Sequence, residues 1–278
     1  MQHDLEAATL AANVAVHSHL AKVYDSSEPH FRPENQDKVR HRLAGLAQAH
    51  GRTALLDIGC GTGFVLRLAG PLFDRLVGID ATPAMLERAA VAAPGARLHH
   101  GAAEALPLDD DSVDVATAYS VLDHLEDPVA VLREARRVLK PGGAFYADLI
   151  PHRLYWAHLS ELGAAHDNGR LSPIVDRERR MVTENDQRLE SEHGMSADLF
   201  RRAEPWKEKG GLTADDLRDF ARRAGFRECR VELEWFLGQG KVMHEQSFDQ
   251  ARVVDAYLKE AAPLTDHLYK YLWTVMVK

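Results

Sequence analysis

The chain has 278 residues, of which 45% are hydrophobic and 7% are aromatic. At about 150 residues per domain, this length suits one enlarged domain or a core with a smaller cap, and the composition excludes wholesale disorder. Basic residues number 34 and acidic residues 42, so the net charge is −8. A chain this acidic is not expected to bind nucleic acid, because a phosphate backbone needs a positive face.

Cysteine and histidine usage gives no sign of a metal or disulfide framework. Cys60 and Cys229 are far apart and neither belongs to a CxxC pair. Fifteen histidines are present, but His17 and His19 fall on opposite sides of a helix and no HExxH motif occurs. We therefore expect no metal site. The acidic start and the lack of an apolar run of about 18 residues predict a cytoplasmic protein without membrane contact.

Residues 1–50 are predicted to form two helices. Helical composition runs from residue 5 to residue 24, and a second helix is predicted over 33–50 from apolar residues at spacings of four and three. Gly51 is a typical helix-ending glycine. We expect this segment to form an N-terminal helical lid.

Residues 51–149 alternate short apolar runs with helical patterns. Strands are predicted at 54–58, 76–79, 113–118 and 144–147. Thr82 and Asp127 are predicted helix caps, because each is followed by a proline at the first helical position. Alternating strands and helices predict right-handed crossovers and a parallel sheet covered on both faces.

Residues 150–211 interrupt this alternation and contain no obvious strand. A structureless loop of that length is improbable in a compact domain, so we expect a helical insertion. The alternation of helical and strand patterns resumes over 212–278. Thr213 and Asp216 predict a capping box there, and strands are predicted at 230–235 and 271–277. We interpret this last segment as the C-terminal part of the α/β core.

Three glycines at alternate positions follow the first predicted strand, at Gly59, Gly61 and Gly63. Glycine is used where a backbone comes within contact distance of a ligand, and open α/β sheets bind ligands at the carboxyl ends of their strands. A dinucleotide motif would need its third glycine at position 64, where the chain has Phe64. A nicotinamide-dependent oxidoreductase is therefore a less favoured alternative.

Asp80 ends the second predicted strand, 23 residues after Asp57. A carboxylate about 20 residues beyond a glycine loop is expected to bind ribose hydroxyls. The alternative is an aspartate that only opens the turn before Thr82. The glycine loop upstream favours the ribose role.

Five ordered blocks resemble class I S-adenosylmethionine-dependent methyltransferases, close to the type 11 small-molecule group. The blocks are LLDIGCGTGF (55–64), GIDATPAMLERA (78–89), GAAEALPLDDDSVDV (101–115), YSVLDHLEDP (119–128) and LREARRVLKPGG (132–143). The resemblance covers 53–149 and, less completely, 212–236. It implies a doubly wound, seven-stranded, mostly parallel Rossmann-like sheet with N-terminal helices and a helical insertion after strand five. It also implies transfer of a methyl group from S-adenosylmethionine to a small-molecule acceptor by direct displacement.

The resemblance further implies which residues surround the cofactor: Tyr24, Asp57, Gly59, Cys60, Gly61, Gly63, Asp80, Ala81, Met85, Ala102, Ala103 and Tyr119. Asp80 would hold the ribose, and Ala81 and Met85 would flank the adenine. Relatives often have an aspartate where this chain has Ala102, so contact there would fall to the backbone of Ala102 and Ala103. Tyr24 would fold over the cofactor, or else belong to a turn between two helices.

The acceptor side is less well defined by the sequence. His124 is the predicted catalytic residue, as a base for an acceptor that arrives protonated, and the alternative is a histidine bonded to nearby backbone. His152 and Arg153 begin the insertion, where acceptor pockets usually lie in the family, and would bind an anionic acceptor or lie in solvent. A non-catalytic cofactor-binding protein is the main functional alternative. The final strand and the apolar helix near 253–258 would support a homodimer.

Overall fold

The computed structural model of the protein describes residues 2–165, 173–180, 191 and 194–278. The predicted insertion at 150–211 therefore lies partly outside the described residues, at 166–172, 181–190 and 192–193.

A seven-stranded sheet forms the centre of the molecule, with the order β3-β2-β1-β4-β5-β7-β6. The strands are β1 Ala54–Ile58, β2 Arg75–Asp80, β3 Arg97–His100, β4 Val113–Tyr119, β5 Leu139–Pro151, β6 Glu228–Phe236 and β7 Tyr269–Val277. The first five strands pair in parallel, and β7 runs antiparallel to both β5 and β6. The predicted doubly wound, mostly parallel sheet is confirmed.

Helices surround the sheet and contribute to its hydrophobic core. Their bounds are α1 Gln2–Leu20, α2 Tyr24–Ser27, α3 Pro33–His50, α4 Phe64–Ala69, α5 Pro83–Ala92, α6 Pro128–Val138, α7 Arg153–Ala165, α8 at residues 173–180, α9 Ala197–Ala203, α10 Pro205–Glu208, α11 Ala214–Ala224, α12 Gln239–Glu245 and α13 Phe248–Glu260. Leu56 and Ile58 of β1 pack in a cluster with α6 and α11, whereas Leu55 packs with α3 and α4. The alternation covers both faces, which is why every residue of β1 is buried.

Two of the three N-terminal helix caps that the sequence predicts are present in the structure. The Asp127 side chain accepts hydrogen bonds from the amides of Val129 and Ala130 at the start of α6. Thr213 and Asp216 form a reciprocal capping box at the start of α11. The capping role predicted for Thr82 is wrong, because its side chain makes no capping hydrogen bond and is instead buried in the wall of the cleft described below.

The prediction that the final strand supports a homodimer is also wrong. Strand β7 lies between β5 and β6 and is hydrogen-bonded on both sides, so it offers no free edge to a second chain. Helix α13 does expose three large side chains, those of Phe248, Val253 and Tyr257. Among the helices that the structure describes, none combines the length and the apolar character needed to cross a membrane.

Candidate functional site

A cleft lies at the carboxyl ends of β1, β2 and β4 and encloses about 870 Å³ of empty space, part of it open to solvent. The sheet order reverses between β1 and β4, and open α/β sheets bind their ligands at such a switch point. A smaller pocket adjoins the cleft and shares part of its lining.

Most of the residues predicted to surround the cofactor meet in these two cavities. The cleft is lined by Tyr24, Gly59, Gly61, Asp80, Ala81, Met85, Ala103, Tyr119 and His124. Asp57 and Cys60 line the smaller pocket. Gly63 and Ala102 belong to neither lining. The structure thus brings the strand-end residues together and sets these two apart from them.

The three glycines of the loop after β1 have different physical roles. Gly61 has a φ of +51°, and a Cβ built on it would meet no atom within 4 Å, so its side-chain position opens into the cleft. A Cβ on Gly59 would lie 2.7 Å from Cγ2 of Val121. A Cβ on Gly63 would lie 3.1 Å from Cα of Ala89, so Gly63 serves the packing of α4 on α5 rather than the cavity wall.

Asp80 holds the glycine loop against the end of β2. Its Oδ2 accepts a hydrogen bond from the Gly61 amide, and its Oδ1 accepts one from the Thr82 amide, both at 2.8 Å. The predicted turn role is therefore present. An ionised carboxylate offers about four lone-pair sites, so Asp80 retains capacity to accept hydroxyl groups from a ligand in the cleft that it lines.

Asp57 lies at the base of the smaller pocket and is 2% exposed. Burial raises the pKa of Asp57 to about 7, although the hydroxyl of Thr117 donates a 2.6 Å hydrogen bond to Oδ1 and acts in the opposite direction. A cationic group bound nearby would favour the ionised carboxylate.

Tyr119 carries a buried hydroxyl that has no hydrogen-bond partner in the described part of the chain. Its ring centroid lies 5.1 Å from that of Phe64 and 5.5 Å from that of His30, which pack beside the smaller pocket. Buried polar atoms are nearly always satisfied, so this hydroxyl marks a place where a ligand atom fits.

His124 belongs to a short 3-10 turn after β4, Leu122–His124, and lines the cleft. Its Nδ1 donates a 3.1 Å hydrogen bond to the carbonyl oxygen of Ala203, because a carbonyl can only accept. The neutral ring then carries its lone pair on Nε2. The histidine is bonded to backbone, as the alternative interpretation expects, and this bond leaves a nitrogen able to accept a proton.

Helix α1 contributes a wall of the cleft that the sequence analysis missed. The lining residues of α1 are Glu6, Thr9, Leu10, Asn13 and His17. They recur at spacings of three and four, which places them on one helical face, and this periodicity was the available signal. An adjoining face carries Ala12 and Val16, which pack against α9.

The predicted role of His152 and Arg153 in binding an anionic acceptor is wrong. His152 is buried and its Nδ1 donates to the carbonyl oxygen of Tyr269. Arg153 donates to the carbonyl oxygen of Gly211 and pairs with Asp216 at 3.1 Å. The side chain of His152 thus bonds to the start of β7, and that of Arg153 bonds to Gly211 and to α11; neither residue lines the cleft.

Three potential metal ligands lie together beside the cleft, although the sequence predicted no metal site. Ligand atoms of Asp123, His124 and Glu204 are within 4.8 Å of one another. Glu204, however, pairs with the ammonium group of Lys207 at 2.7 Å, and His124 uses Nδ1 in its bond to Ala203. Lys207 already supplies a positive charge here, so we assign no metal to the cluster.

The fold and the cleft define the class of protein: a Rossmann-like α/β domain with a glycine loop after β1 and an acidic residue at the end of β2. Residues 56–147 match the methyltransferase-domain family, and this segment is a class I S-adenosylmethionine-dependent methyltransferase domain. Its cofactor is S-adenosylmethionine.

Relatives and solved structures agree with this assignment. The chain is 32% identical over 164 residues to a protein of Mycolicibacterium smegmatis named a probable S-adenosylmethionine-dependent methyltransferase, covering 54% of this chain and 63% of that one. It is 35% identical to the malonyl-[acyl-carrier protein] O-methyltransferase of Serratia marcescens, covering 47% and 49%. The chain thus spans about half to two thirds of the length of these two relatives. The fold is similar to that of an S-adenosylmethionine-dependent methyltransferase from Mesorhizobium loti, with a TM-score of 0.53, 21% identity, and coverage of 87% and 100%.

The cleft fits this cofactor. The open space beside Gly61 allows close approach of a nucleoside, and the Asp80 carboxylate stands beside it. The orphaned Tyr119 hydroxyl offers a hydrogen bond, and the buried Asp57 carboxyl offers charge for an ammonium group. The bound cofactor supplies a methyl group on a positively charged sulfur, which is already activated for displacement.

Proposed function

We propose that the whole protein is an S-adenosylmethionine-dependent methyltransferase that acts on a small-molecule acceptor by direct displacement. The observation that carries the proposal is the cleft at the ends of β1, β2 and β4, where the open position at Gly61 lies beside the Asp80 carboxylate. In direct displacement the protein chiefly aligns the reacting groups, and alignment can supply about 7–11 kcal/mol of the barrier.

The chain's own residues divide this task between them in the proposal. Asp80 accepts the ribose hydroxyls, Ala81 and Met85 flank the adenine, and Tyr24 and Tyr119 border the methionine end, since all of them line the cleft. The backbone at Gly59 and Gly61 and the Asp57 carboxyl complete the methionine side, and the roles of Cys60 and Gly63 are to support that loop.

His124 is proposed as the base on the acceptor side. Its Nε2 is the free nitrogen of the neutral ring, because Nδ1 is used by Ala203. A base with a pKa near the working pH contributes about 10²–10⁴-fold when the acceptor arrives protonated.

We also infer an organisation into an N-terminal lid at 1–50, a cofactor-binding core at 51–149, an acceptor cap at 150–211 and the rest of the core at 212–278. Support for the lid comes from α1, which lines the cleft, and support for the cap comes from α9, which packs against α1. A homodimer, if formed, would use the exposed side chains of α13 rather than β7.

The position of the cofactor is tested by adding a Cβ to the glycine loop. Gly61→Ala places a methyl group in open cleft space, so we expect the affinity for S-adenosylmethionine to fall at least tenfold, measured by isothermal calorimetry. Gly142→Ala is the matched control, since Gly142 also has positive φ (+79°) with no atom within 4 Å of its Cβ position, and it does not line the cleft. Both variants carry a similar backbone strain, so an equal effect in both would show that the loop is not the binding site.

The activity is tested by incubating the full chain with S-adenosylmethionine and a panel of acceptors, with S-adenosylhomocysteine formation as the readout. The panel contains an amine, an alcohol, a phenol and a malonyl thioester, the last because the Serratia relative is named for such a substrate. Turnover of a small acceptor supports the proposal. Tight cofactor binding without turnover of any acceptor favours a non-catalytic binding protein, and binding of NADH in place of S-adenosylmethionine contradicts the assignment.

A further inference from the structure

Two histidines from distant parts of the chain meet in the wall of the cleft. His17 comes from α1 and His124 from the turn after β4, and both line the cleft. Their ring centroids are 5.3 Å apart and the rings are nearly perpendicular, at 70°. Asn13 links the same two elements, because its side-chain amide donates to the carbonyl oxygen of His124 at 3.2 Å. The arrangement of α1 over His124 is therefore held by a specific polar contact.

Both rings are fixed in the same tautomer by the main chain. Nδ1 of His17 lies 2.9 Å from the carbonyl oxygen of Asn13, and Nδ1 of His124 lies 3.1 Å from that of Ala203. A carbonyl oxygen accepts but cannot donate, so each Nδ1 carries the hydrogen. Each neutral ring therefore has its lone pair on Nε2, and both residues can accept a proton there.

Several ionisable groups surround the two histidines and act on His17 in opposite directions. Burial and the neighbouring His124 lower the pKa of His17, whereas Asp80 and Glu204 act in the opposite direction. The ammonium group of Lys207 pairs with Glu204 and so offsets much of its charge. Further ionisable neighbours are Tyr24, on α2, whose ring centroid lies 6.1 Å from that of His17, and Asp123, whose pKa burial raises.

We propose that His17 and His124 form a proton-accepting pair at the acceptor end of the cleft, which selects acceptors whose nucleophilic nitrogen or oxygen must lose a proton. This inference rests on the methyltransferase function proposed above. The acceptor's proton moves to an Nε2 of the pair, its lone pair forms the bond to the methyl carbon, and the carbon–sulfur bond breaks with its electrons left on sulfur. Helix α1 thereby supplies a reacting group as well as a cover.

The proposal is tested on the full chain by nitrogen-15 NMR of its histidine rings, with signals assigned by their loss in His17→Asn and His124→Asn. We expect the neutral form of both rings to carry its hydrogen on Nδ1. Asparagine at position 17 retains a side-chain N–H near the Asn13 carbonyl but lacks Nε2. In His124→Asn, loss of the second imidazole should raise the titration midpoint of His17, because burial and the neighbouring His124 lower the pKa of His17 and the two ring centroids are 5.3 Å apart.

His50→Asn is the matched control, because Nδ1 of His50 also bonds a main-chain carbonyl, that of Gly142, at 2.9 Å and away from the cleft. It should leave the titration midpoint of His17 unchanged. With an amine or alcohol acceptor, His17→Asn should lower kcat by about tenfold or more and shift its pH profile, while the affinity for S-adenosylmethionine stays within about threefold.

The outcomes separate this inference from the proposed function. An Nε2-protonated ring at either position, or a His17 titration midpoint that does not rise in His124→Asn, overturns the pair even if cofactor binding and turnover are normal. If the unmodified chain does not bind S-adenosylmethionine, the proposed function is overturned instead. The ring measurements then still report on the tautomers and the coupling of the two histidines. Undiminished kcat in His17→Asn with such an acceptor also overturns the pair.

Discussion

Asp57 shows how the burial of a single carboxyl makes the stability of the fold depend on pH. It sits at the end of β1, buried, with Thr117 as its hydrogen-bond donor. Burial raises its pKa from the ordinary 3.8 to about 7, so the folded state binds an extra proton between these values. The contribution of this carboxyl to the free energy of unfolding is therefore fully present below pH 4 and is lost as the pH rises to 7.

Asp57→Asn should gain stability relative to the unmodified chain as the pH rises. Asparagine does not titrate, so the difference in free energy of unfolding should grow by at most about 1.4 kcal/mol per pH unit up to pH 7 and then level off. Urea unfolding between pH 5 and pH 8 measures this difference. The exposed Asp109→Asn provides the control, for which we expect no such trend. If the difference in free energy of unfolding between Asp57→Asn and the unmodified chain stays constant with pH, burial does not raise the pKa of this carboxyl.

Helices α5 and α11 show how similar sequence signals at a helix start give different capping. Both begin after a threonine, at Thr82 and Thr213. The Thr213 hydroxyl accepts from the Asp216 amide, whose side chain in turn accepts from the Thr213 amide. At Thr82 the preceding Asp80 accepts from the threonine amide, and the threonine side chain forms part of the cleft wall. The position of Thr82 in the cleft wall thus accounts for the missing side-chain cap at the start of α5.

Replacement of each threonine by valine keeps the shape and removes only the hydroxyl. Thr213→Val should lower the free energy of unfolding by about 1 kcal/mol, because it leaves an orphan amide in the first turn of α11. Thr82→Val loses no capping bond and should lower it by less. Thermal or urea unfolding of the two variants gives the comparison, and equal losses would refute the assigned difference in capping.

Across the whole molecule, a buried charge network ties the N-terminal helices to the C-terminal half of the sheet. Arg42 of α3 pairs with Asp148 of β5 and with Glu234 of β6, the latter at 3.0 Å. Its guanidinium also lies 4.1 Å from the ring centroid of Trp273 on β7. Asp148 is fully buried, so its charge depends on this partner. The network joins segments that lie nearly 200 residues apart.

Arg42→Met should destabilise the protein by about 3–5 kcal/mol, because it leaves the buried Asp148 carboxylate without its cationic partner. Arg218→Met is the control, since Arg218 pairs with the exposed Asp215 on the surface of α11 and such pairs contribute about 0–1 kcal/mol. Urea unfolding at neutral pH measures both. A loss below about 1 kcal/mol for Arg42→Met would show that the network does not hold the two halves together.

The sequence by itself determined the sheet and the centre of the site. Strand runs, the glycine loop and Asp80 are local signals, because strand periodicity and backbone sterics act over a few residues. The carboxyl ends of neighbouring parallel strands lie at the same edge of a sheet, so the glycine loop after β1 and Asp80 at the end of β2 were expected to lie together.

Only the tertiary structure decided which side chains of α1 line the cleft and which contacts individual residues make. His17 and His124 are 107 positions apart, and their meeting depends on how α1 packs on α9, which no local pattern specifies. The same holds for Gly63, used for packing against α5, and for β7, placed inside the sheet. Contacts of this kind depend on the complementary shapes of surfaces that separate segments build. A sequence pattern shows which face of a segment can pack, but not which other segment packs against it.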